Sequence, residues 1–257
     1  MSGHSKWSTI KRSKGAADIK RGLTFTKVAN AITIATKQGG SGDPNFNPRL
    51  RSALEAAKAV NMPKENVQRA IDRGLGKLPG QTIEEVLYEG FGPSKVAFLI
   101  EGATDNKLRT LQEVKNLFEK SGGSLAGQGS IAYMFDRMGE IKVKSLESTH
   151  PFFEGRVNSL EEQELELIDL GADDIESFEE DGIRKYLIYT EATKVAEVST
   201  KLTQAGYRVE SSEVTLKPNT LVEIKDKEIA EKVLDFTQKL EDMDDIQKVY
   251  ANFEIKE

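Results

Sequence analysis

Cysteine is absent from this chain of 257 residues, and histidine occurs only as His4 and His150. The lack of cysteine excludes disulfides, thiolate nucleophiles, iron–sulfur clusters and thiolate zinc sites. Two histidines leave little material for a histidine-based triad or metal site. No apolar run reaches the roughly 18 residues of a membrane span, and no signal-peptide or myristoylation pattern starts the chain. We therefore expect a cytoplasmic protein with no membrane partner, cofactor, metal site or small-molecule substrate.

Charge of the two signs is unevenly distributed along the chain. Residues 1–79 hold 15 Lys and Arg against five acids, a net charge of +10. The other 178 residues hold 21 basic side chains against 37 acidic ones, a net charge of −16. A basic module on an acidic body is typical of a protein that meets a polyanion with one part only. Uneven surface charge without a function is the alternative interpretation.

Hydrophobic periodicity predicts an all-helical module over residues 1–79. Apolar residues recur at helical spacing from Ala16 to Lys37, and a glycine pair ends the pattern. Asn47-Pro48 predicts an N-cap and the first turn of a second helix. Pro63 predicts the start of a third helix, which Gly74 ends. The glycine and proline of the next few residues indicate a linker.

Past the linker the pattern changes to strands alternating with helices. Strands are predicted at residues 84–89 and 95–101. A helix capped by Asn106 follows. Its predicted inward-facing residues are Leu108, Leu111, Val114, Leu117 and Phe118.

The remaining segments predict an inserted domain. Strands at 130–135 and 140–144 are predicted on either side of a turn at 136–139. The order up to residue 216 is then β-α-β-β-α-β, which is typical of a split βαβ unit. The final strand, helix and strand over 221–255 are too few to bury a core alone, so we assign them to the sheet that begins at residue 84.

The predicted fold is therefore a multidomain α+β protein. We expect a basic helical nucleic-acid-binding domain at 1–79 and an α+β domain formed by 80–136 with 218–257. An acidic, ferredoxin-like α+β domain at 137–217 is inserted into the second domain.

The start of the chain alternates basic side chains, hydroxyls and the only indole. Lys and Arg neutralise phosphates, hydroxyls donate to phosphate oxygens, and an indole stacks on a base. The predicted nucleic-acid-binding residues here are His4, Ser5, Lys6, Trp7, Lys11, Arg12 and Lys14. Those on the three helices are Lys20, Arg21, Lys27, Arg49, Arg51, Lys64, Arg69 and Arg73. The alternative for the start of the chain is a disordered cationic tail whose Trp7 packs into the core. The alternative for the helix residues is that they form ordinary solvated faces.

Two further features suggest other chemistry. The glycine-rich stretch 122–130 fails as a P-loop because Gln128-Gly129 occupies the place of the required Lys-Ser/Thr. Residues 161–181 hold eleven acids and no base, but they lack the pattern of a calcium loop. A solvated acidic face is the main interpretation of this segment. A metal-dependent phosphoester hydrolase that uses these carboxylates is the alternative function.

The sequence also resembles a known family. The residues that carry the resemblance are Gly3-His4-Ser5-Lys6-Trp7, Lys20-Arg21-Gly22, Asn61-Met62-Pro63-Lys64, Tyr88-Glu89-Gly90-Phe91-Gly92-Pro93 and Thr104-Asp105-Asn106 with Arg109-Thr110. They are similar to the YebC/PmpR family, which includes mitochondrial translational activators of cytochrome oxidase subunit one. Leu108 and Ser8-Thr9 depart from the family pattern.

This resemblance implies three domains, of which the helical one binds nucleic acid. It implies a non-enzymatic regulator of gene expression. The expected activity is DNA-binding transcriptional regulation, ribosome-associated relief of stalled translation, or both. The expected partners are duplex DNA, ribosomal RNA and ribosomal proteins.

Overall fold

A computed structural model of the chain describes residues 17–80, 82–145, 160–180 and 182–256. The architecture is multidomain α+β, which confirms the predicted fold class. The described part of the chain forms two compact units. One contains the helical module and a central sheet, Lys14–Ala132 with Asp226–Ala251. The other is formed by Tyr133–Lys225 with Asn252–Glu257.

Three helices form the basic module, as predicted: α1 (Ala17–Gly39), α2 (Pro48–Ala59) and α3 (Lys64–Gly74). The Asn47 side chain caps α2, because its Oδ1 accepts a hydrogen bond from the Leu50 N–H at 3.0 Å. The Asn47 Nδ2 also donates to the Ala35 carbonyl of α1 at 2.8 Å. The module encloses its own core of Ile32, Ala35, Leu50, Ala57, Met62, Ala70 and Ile71.

The central sheet is formed by β1 (Glu84–Phe91), β2 (Ala97–Thr104), β3 (Ser124–Leu125) and β9 (Ile246–Ala251). Its strand order is β3-β1-β2-β9, with every neighbour antiparallel. Helices α4 (Lys107–Lys120) and α7 (Lys227–Glu241) supply Phe118 and Phe236. These two rings and Phe98 of β2 pack edge-to-face on one another, with ring centroids 4.9–6.3 Å apart.

The second unit contains a four-stranded sheet of order β5-β6-β4-β7. Along the chain the elements are β4 (Phe135–Lys144), α5 (Leu160–Asp169), β5 (Asp174–Glu180), β6 (Ile183–Glu191), α6 (Val195–Gln204) and β7 (Arg208–Pro218). All neighbours are antiparallel. This is the predicted ferredoxin-like β-α-β-β-α-β arrangement. Its helices cover a core built around Ile141, Leu167, Tyr186 and Leu202.

The turn predicted at 136–139, with separate strands on either side, is wrong. Residues 135–144 form one continuous strand, in which Gly139 is paired with both Thr190 and Val214. Glycine is needed here for packing, since a Cβ on Gly139 would lie 2.1 Å from a methyl carbon of Val195. Gly139 therefore lies inside a strand, at a point where the Val195 side chain approaches the backbone closely. In the sequence alone, such a glycine cannot be told from a turn residue.

The inward face predicted for α4 is also partly wrong. Leu108 is 78% exposed and Leu111 is 39% exposed. The buried stripe is Thr110, Val114 and Phe118, spaced four residues apart. A threonine can occupy this face because its hydroxyl has hydrogen-bond partners inside the protein.

The assignment of 221–224 to the central sheet is wrong as well. Strand β8 (Val222–Ile224) pairs in parallel with β10 (Phe253–Ile255), and only β9 joins the central sheet. Asn252 separates β9 from β10, where its Nδ2 donates to the Thr220 carbonyl at 3.1 Å. Its own carbonyl accepts from the Val222 N–H at 2.7 Å. A run that the sequence shows as one strand is thus two strands in different sheets.

In the part of the chain that the structure describes, no helix is long and apolar enough to cross a membrane.

Candidate nucleic-acid interface

The predicted interface lies only partly within the described residues. His4, Ser5, Lys6, Trp7, Lys11, Arg12 and Lys14 lie outside them. Lys20 and Arg21 belong to the first turns of α1, but their side chains are outside the described part. The structure therefore bears on the six remaining candidates, which separate into two groups.

The first group consists of Lys27, Arg49 and Arg51, whose side chains contact other parts of the same unit. The Lys27 Nζ donates to the Glu241 carbonyl at 2.5 Å. The Arg49 guanidinium forms an ion pair of 2.8 Å with Glu85 of β1. The Arg51 guanidinium donates to the Pro44 carbonyl at 3.0 Å and so holds the loop before α2. Lys27 thus joins the helical module to the end of α7, and Arg49 joins it to the central sheet.

The second group consists of Lys64, Arg69 and Arg73, all on α3. Their side chains are exposed, and within the described ranges none of them forms an ion pair. Arg69 and Arg73 are four residues apart and so lie on one stripe of the helix. The nearby Asp72 is engaged by Lys77 at 3.6 Å and by Gln68 at 3.2 Å. Helix α3 therefore presents three cations to solvent that form no ion pair among the described residues, beside the exposed carboxylate of Glu65.

Two further exposed basic residues of the helical module were not among the binding residues predicted from the sequence. Lys58 is exposed on α2 and lies seven residues after Arg51, so both occupy one helix face. That spacing was the signal that could have identified Lys58. Lys37 lines a cleft of about 980 Å³, together with Arg73 and Arg109. Only the fold shows its proximity to the other two.

The same cleft carries a polar cluster around Asp245. The Asp245 Oδ2 accepts hydrogen bonds from Thr110 Oγ1 at 2.6 Å, Arg109 Nη2 at 2.7 Å and Thr104 Oγ1 at 3.1 Å. Burial disfavours the charged carboxylate, but these donors outweigh it and hold the pKa of Asp245 below its usual value. Asp105, Glu113 and Asp244 also line the cleft, so its charge is mixed.

The acidic segment has structural partners in the second unit. Glu180 is buried and lies 2.6 Å from Lys185, and Lys217 contacts both Asp174 and Glu176. Across the described ranges, no three His, Asp or Glu side chains are grouped so that they could hold a metal ion. The hydrolase alternative gains no support from this geometry.

The fold and these surfaces define a class of protein: a multidomain α+β chain with a basic helical module and an acidic body. Residues 5–77 match the model of the TACO1/YebC N-terminal domain, and residues 83–253 match that of the TACO1/YebC second and third domain. The chain belongs to the TACO1/YebC family, which confirms the resemblance seen in the sequence.

Similar proteins extend over almost the full length of the chain. A probable transcriptional regulatory protein of Thermotoga maritima is 48% identical over 99% of this chain and 94% of its own length. One from Citrifermentans bemidjiense is 44% identical over 100% and 97%. The crystal structure of a conserved hypothetical protein from Aquifex aeolicus matches with a TM-score of 0.79 at 40% identity, covering 95% of each chain. These relatives carry the names of regulators or no function, and none is named as an enzyme.

Proposed function

We propose that this protein is a non-enzymatic regulator of gene expression that binds the phosphate backbone of DNA or ribosomal RNA through its helical domain, residues 1–79. The names of the similar proteins support a regulatory role. The central sheet and the inserted ferredoxin-like sheet, with the helices that pack on them, position the helical domain and contact proteins.

The observation that carries this proposal is the exposed cationic surface of α3. Lys64, Arg69 and Arg73 have no carboxylate partner among the described residues, although the chain as a whole is acidic. Cations that are not neutralised by the protein can replace the counterions of a nucleic acid, and the release of those counterions drives binding. An ion-paired helix surface would gain much less from phosphate contact.

A role on the ribosome is the second candidate, and the side-chain types on the exposed faces favour it. Sequence-specific DNA readers often pair an Asn or Gln amide with adenine, whereas Arg contacts either a guanine edge or a phosphate. On α3 the amide of Gln68 is engaged by Asp72 and Asn66 is only partly exposed, and α2 has no amide side chain beside its exposed basic residues. A surface that contacts phosphates without reading bases serves ribosomal RNA as well as duplex DNA.

The test reverses charge on α3 in the full chain, with Arg69→Glu and Arg73→Glu together. We expect at least a tenfold loss of affinity for nucleic acid with an unchanged melting temperature, because exposed substitutions rarely alter stability by more than about 0.5 kcal/mol. The matched control is Lys227→Glu with Lys232→Glu, which makes the same change of net charge at two exposed positions of α7. Equal losses in both variants would contradict a specific interface on α3.

The two targets are separated by comparing substrates and cells. We expect less than tenfold discrimination between a promoter duplex and its scrambled version, well below the roughly thousandfold of a dedicated DNA reader. We also expect the protein to sediment with ribosomes from gently lysed cells and its deletion to alter ribosome occupancy at particular codons. A selective footprint upstream of a gene, with unaltered ribosome occupancy, would assign the protein to transcription alone.

A further inference from the structure

The turn between β1 and β2 has an unusual backbone. Ser94 and Lys95 are consecutive and both lie in the left-handed region, with φ values of 58° and 60°. This conformation is uncommon for residues with a Cβ, and each such residue costs on the order of 1 kcal/mol. Both side chains are exposed, so the core does not require them. Glycine would form this turn more easily, yet the two positions are occupied by a serine and a lysine.

The turn is rigidly supported. The Gly92 N–H donates to the Val96 carbonyl at 2.8 Å, and the Lys95 N–H donates to the Gly92 carbonyl at 3.2 Å. Below the turn, a Cβ on Gly92 would lie 2.6 Å from the Phe98 ring and 2.9 Å from the Phe236 ring. The tip is therefore held by the aromatic core of the central sheet.

A second loop lies beside this turn. Strand β3 pairs with the end of β1, so that Ser124 is opposite Phe91. The glycine-rich loop after β3 is fixed by Glu89, a buried carboxylate that accepts hydrogen bonds from the N–H groups of Gly129 at 2.5 Å, Ile131 at 2.6 Å and Ala132 at 3.0 Å. Residues 90–96 and 120–130 together form the surface that we call the tip.

The composition of the tip differs from that of the rest of the acidic body. Its residues include Lys95 and Lys120 and no acid, whereas residues 80–257 have a net charge of −16. Two acids border these ranges along the chain: Glu89 is buried and accepts three backbone hydrogen bonds, and Glu119 pairs with Lys115 at 3.8 Å. Phe91 is 36% exposed on the same surface. Lysines, small hydroxyl residues and one accessible aromatic ring are the groups that bind a single-stranded nucleic acid.

We propose that the tip is a second nucleic-acid contact, which binds an unpaired nucleotide. Phe91 stacks on its base, and Lys95 and Lys120 contact the adjacent phosphates. The base must be unpaired because a ring on a protein surface cannot reach the face of a base that is stacked within a duplex. This site rests on the proposed function, since it adds a contact to the nucleic acid that the helical domain binds.

The experiment measures the affinity of the full chain for a short oligouridylate and for a short duplex as salt is varied. Phe91→Ala should weaken binding to the single strand by about 5-fold to 100-fold and leave the salt slope unchanged. Lys95→Ala should instead make the log–log salt slope less steep by about 0.7. Neither change should alter binding to the duplex. Lys232→Ala on α7 is the control for loss of an exposed lysine.

Lys95→Gly separates binding from folding. Because glycine adopts positive φ without strain, this variant should raise the melting temperature while it lowers affinity for the oligouridylate. A merely structural lysine would show no loss of affinity, and that result would overturn the proposal. Unchanged affinity in Phe91→Ala and Lys95→Ala, with intact binding by the wild type, would overturn the tip site alone. Absence of all binding by the wild type would overturn the proposed function as well.

Discussion

A single carboxylate, Asp245, joins the start of α4 to the turn before β9. It accepts hydrogen bonds from two threonines and an arginine that lie more than 130 residues earlier in the chain. Because its pKa is lowered in the folded state, its stabilising contribution is complete above the unfolded value of about 3.9 and is lost as the pH falls through the lower folded value.

We therefore expect Asp245→Asn to lower the free energy of unfolding by about 1–3 kcal/mol near neutral pH. The difference from the wild type should shrink as the pH falls below about 4. Urea denaturation at a series of pH values measures this. Asp244→Asn is the control, since its carboxylate is exposed and has no hydrogen-bond partner among the described residues. A difference that does not vary with pH would show that the carboxylate charge is not responsible.

Helix caps could be predicted from the sequence, whereas hydrogen-bond partners far apart in the chain could not. Asn47 and Asn106 cap the helices for which they were predicted, because a cap involves only the next three residues. Thr110 and Arg109 bind a residue whose position depends on the whole sheet, and nothing in the sequence near them indicates Asp245. The exposed bases of α3 could be predicted, but the engagement of Lys27 by Glu241 could not.

At the level of elements, the inserted sheet contains a ladder of buried charges. Lys185 of β6 lies 2.6 Å from both Glu180 of β5 and Glu210 of β7, and Lys142 of β4 lies 3.1 Å from Glu180. The side chains of Glu180 and Lys185 are only 3% and 6% exposed. Burial lowers the pKa of Lys185, but the two carboxylates outweigh it and raise the pKa, so the ammonium stays charged.

Removal of the central cation should destabilise this sheet. Lys185→Met leaves two carboxylates without their main partner and should cost about 3–5 kcal/mol. Adding Glu180→Leu should restore part of the loss, because one unpaired buried charge is then removed. Hydrogen exchange of the β6 amides measures both effects. The exposed pair of Lys194 with Glu191 provides the comparison, and Lys194→Met should leave the stability nearly unchanged, because solvent screens an exposed ion pair.

The helices and the ferredoxin-like order were predictable because they depend on periodicity within short segments. The predicted elements were wrong where a residue is placed by contacts with residues far away in the sequence. Gly139 resembles a turn residue but sits inside a strand to admit Val195. Asn252 is polar yet fully buried, and it splits a predicted strand between two sheets.

For the molecule as a whole, the net charge and the charge of the proposed interface have opposite signs. The chain carries −6, whereas its first 79 residues carry +10. Binding to nucleic acid should therefore depend steeply on salt despite the acidic total. If four cations contact phosphates, the affinity for duplex should fall about 100-fold between roughly 50 and 200 mM salt. A fluorescence anisotropy titration at several salt concentrations tests this. Affinity that does not change with salt would contradict a backbone interface.

The strands of the central sheet are far apart in the sequence, so they are synthesised at different times. Strand β2 is synthesised early, but its partner β9 lies near the end of the sequence, after residues 133–225 of the second unit. The nascent chain lacks Phe236 of the aromatic core until α7 has emerged, and it carries β2 with one open edge until β9 has emerged. Open strand edges and exposed apolar surface promote aggregation. The central sheet of each new molecule is therefore complete only when translation of that molecule is almost finished.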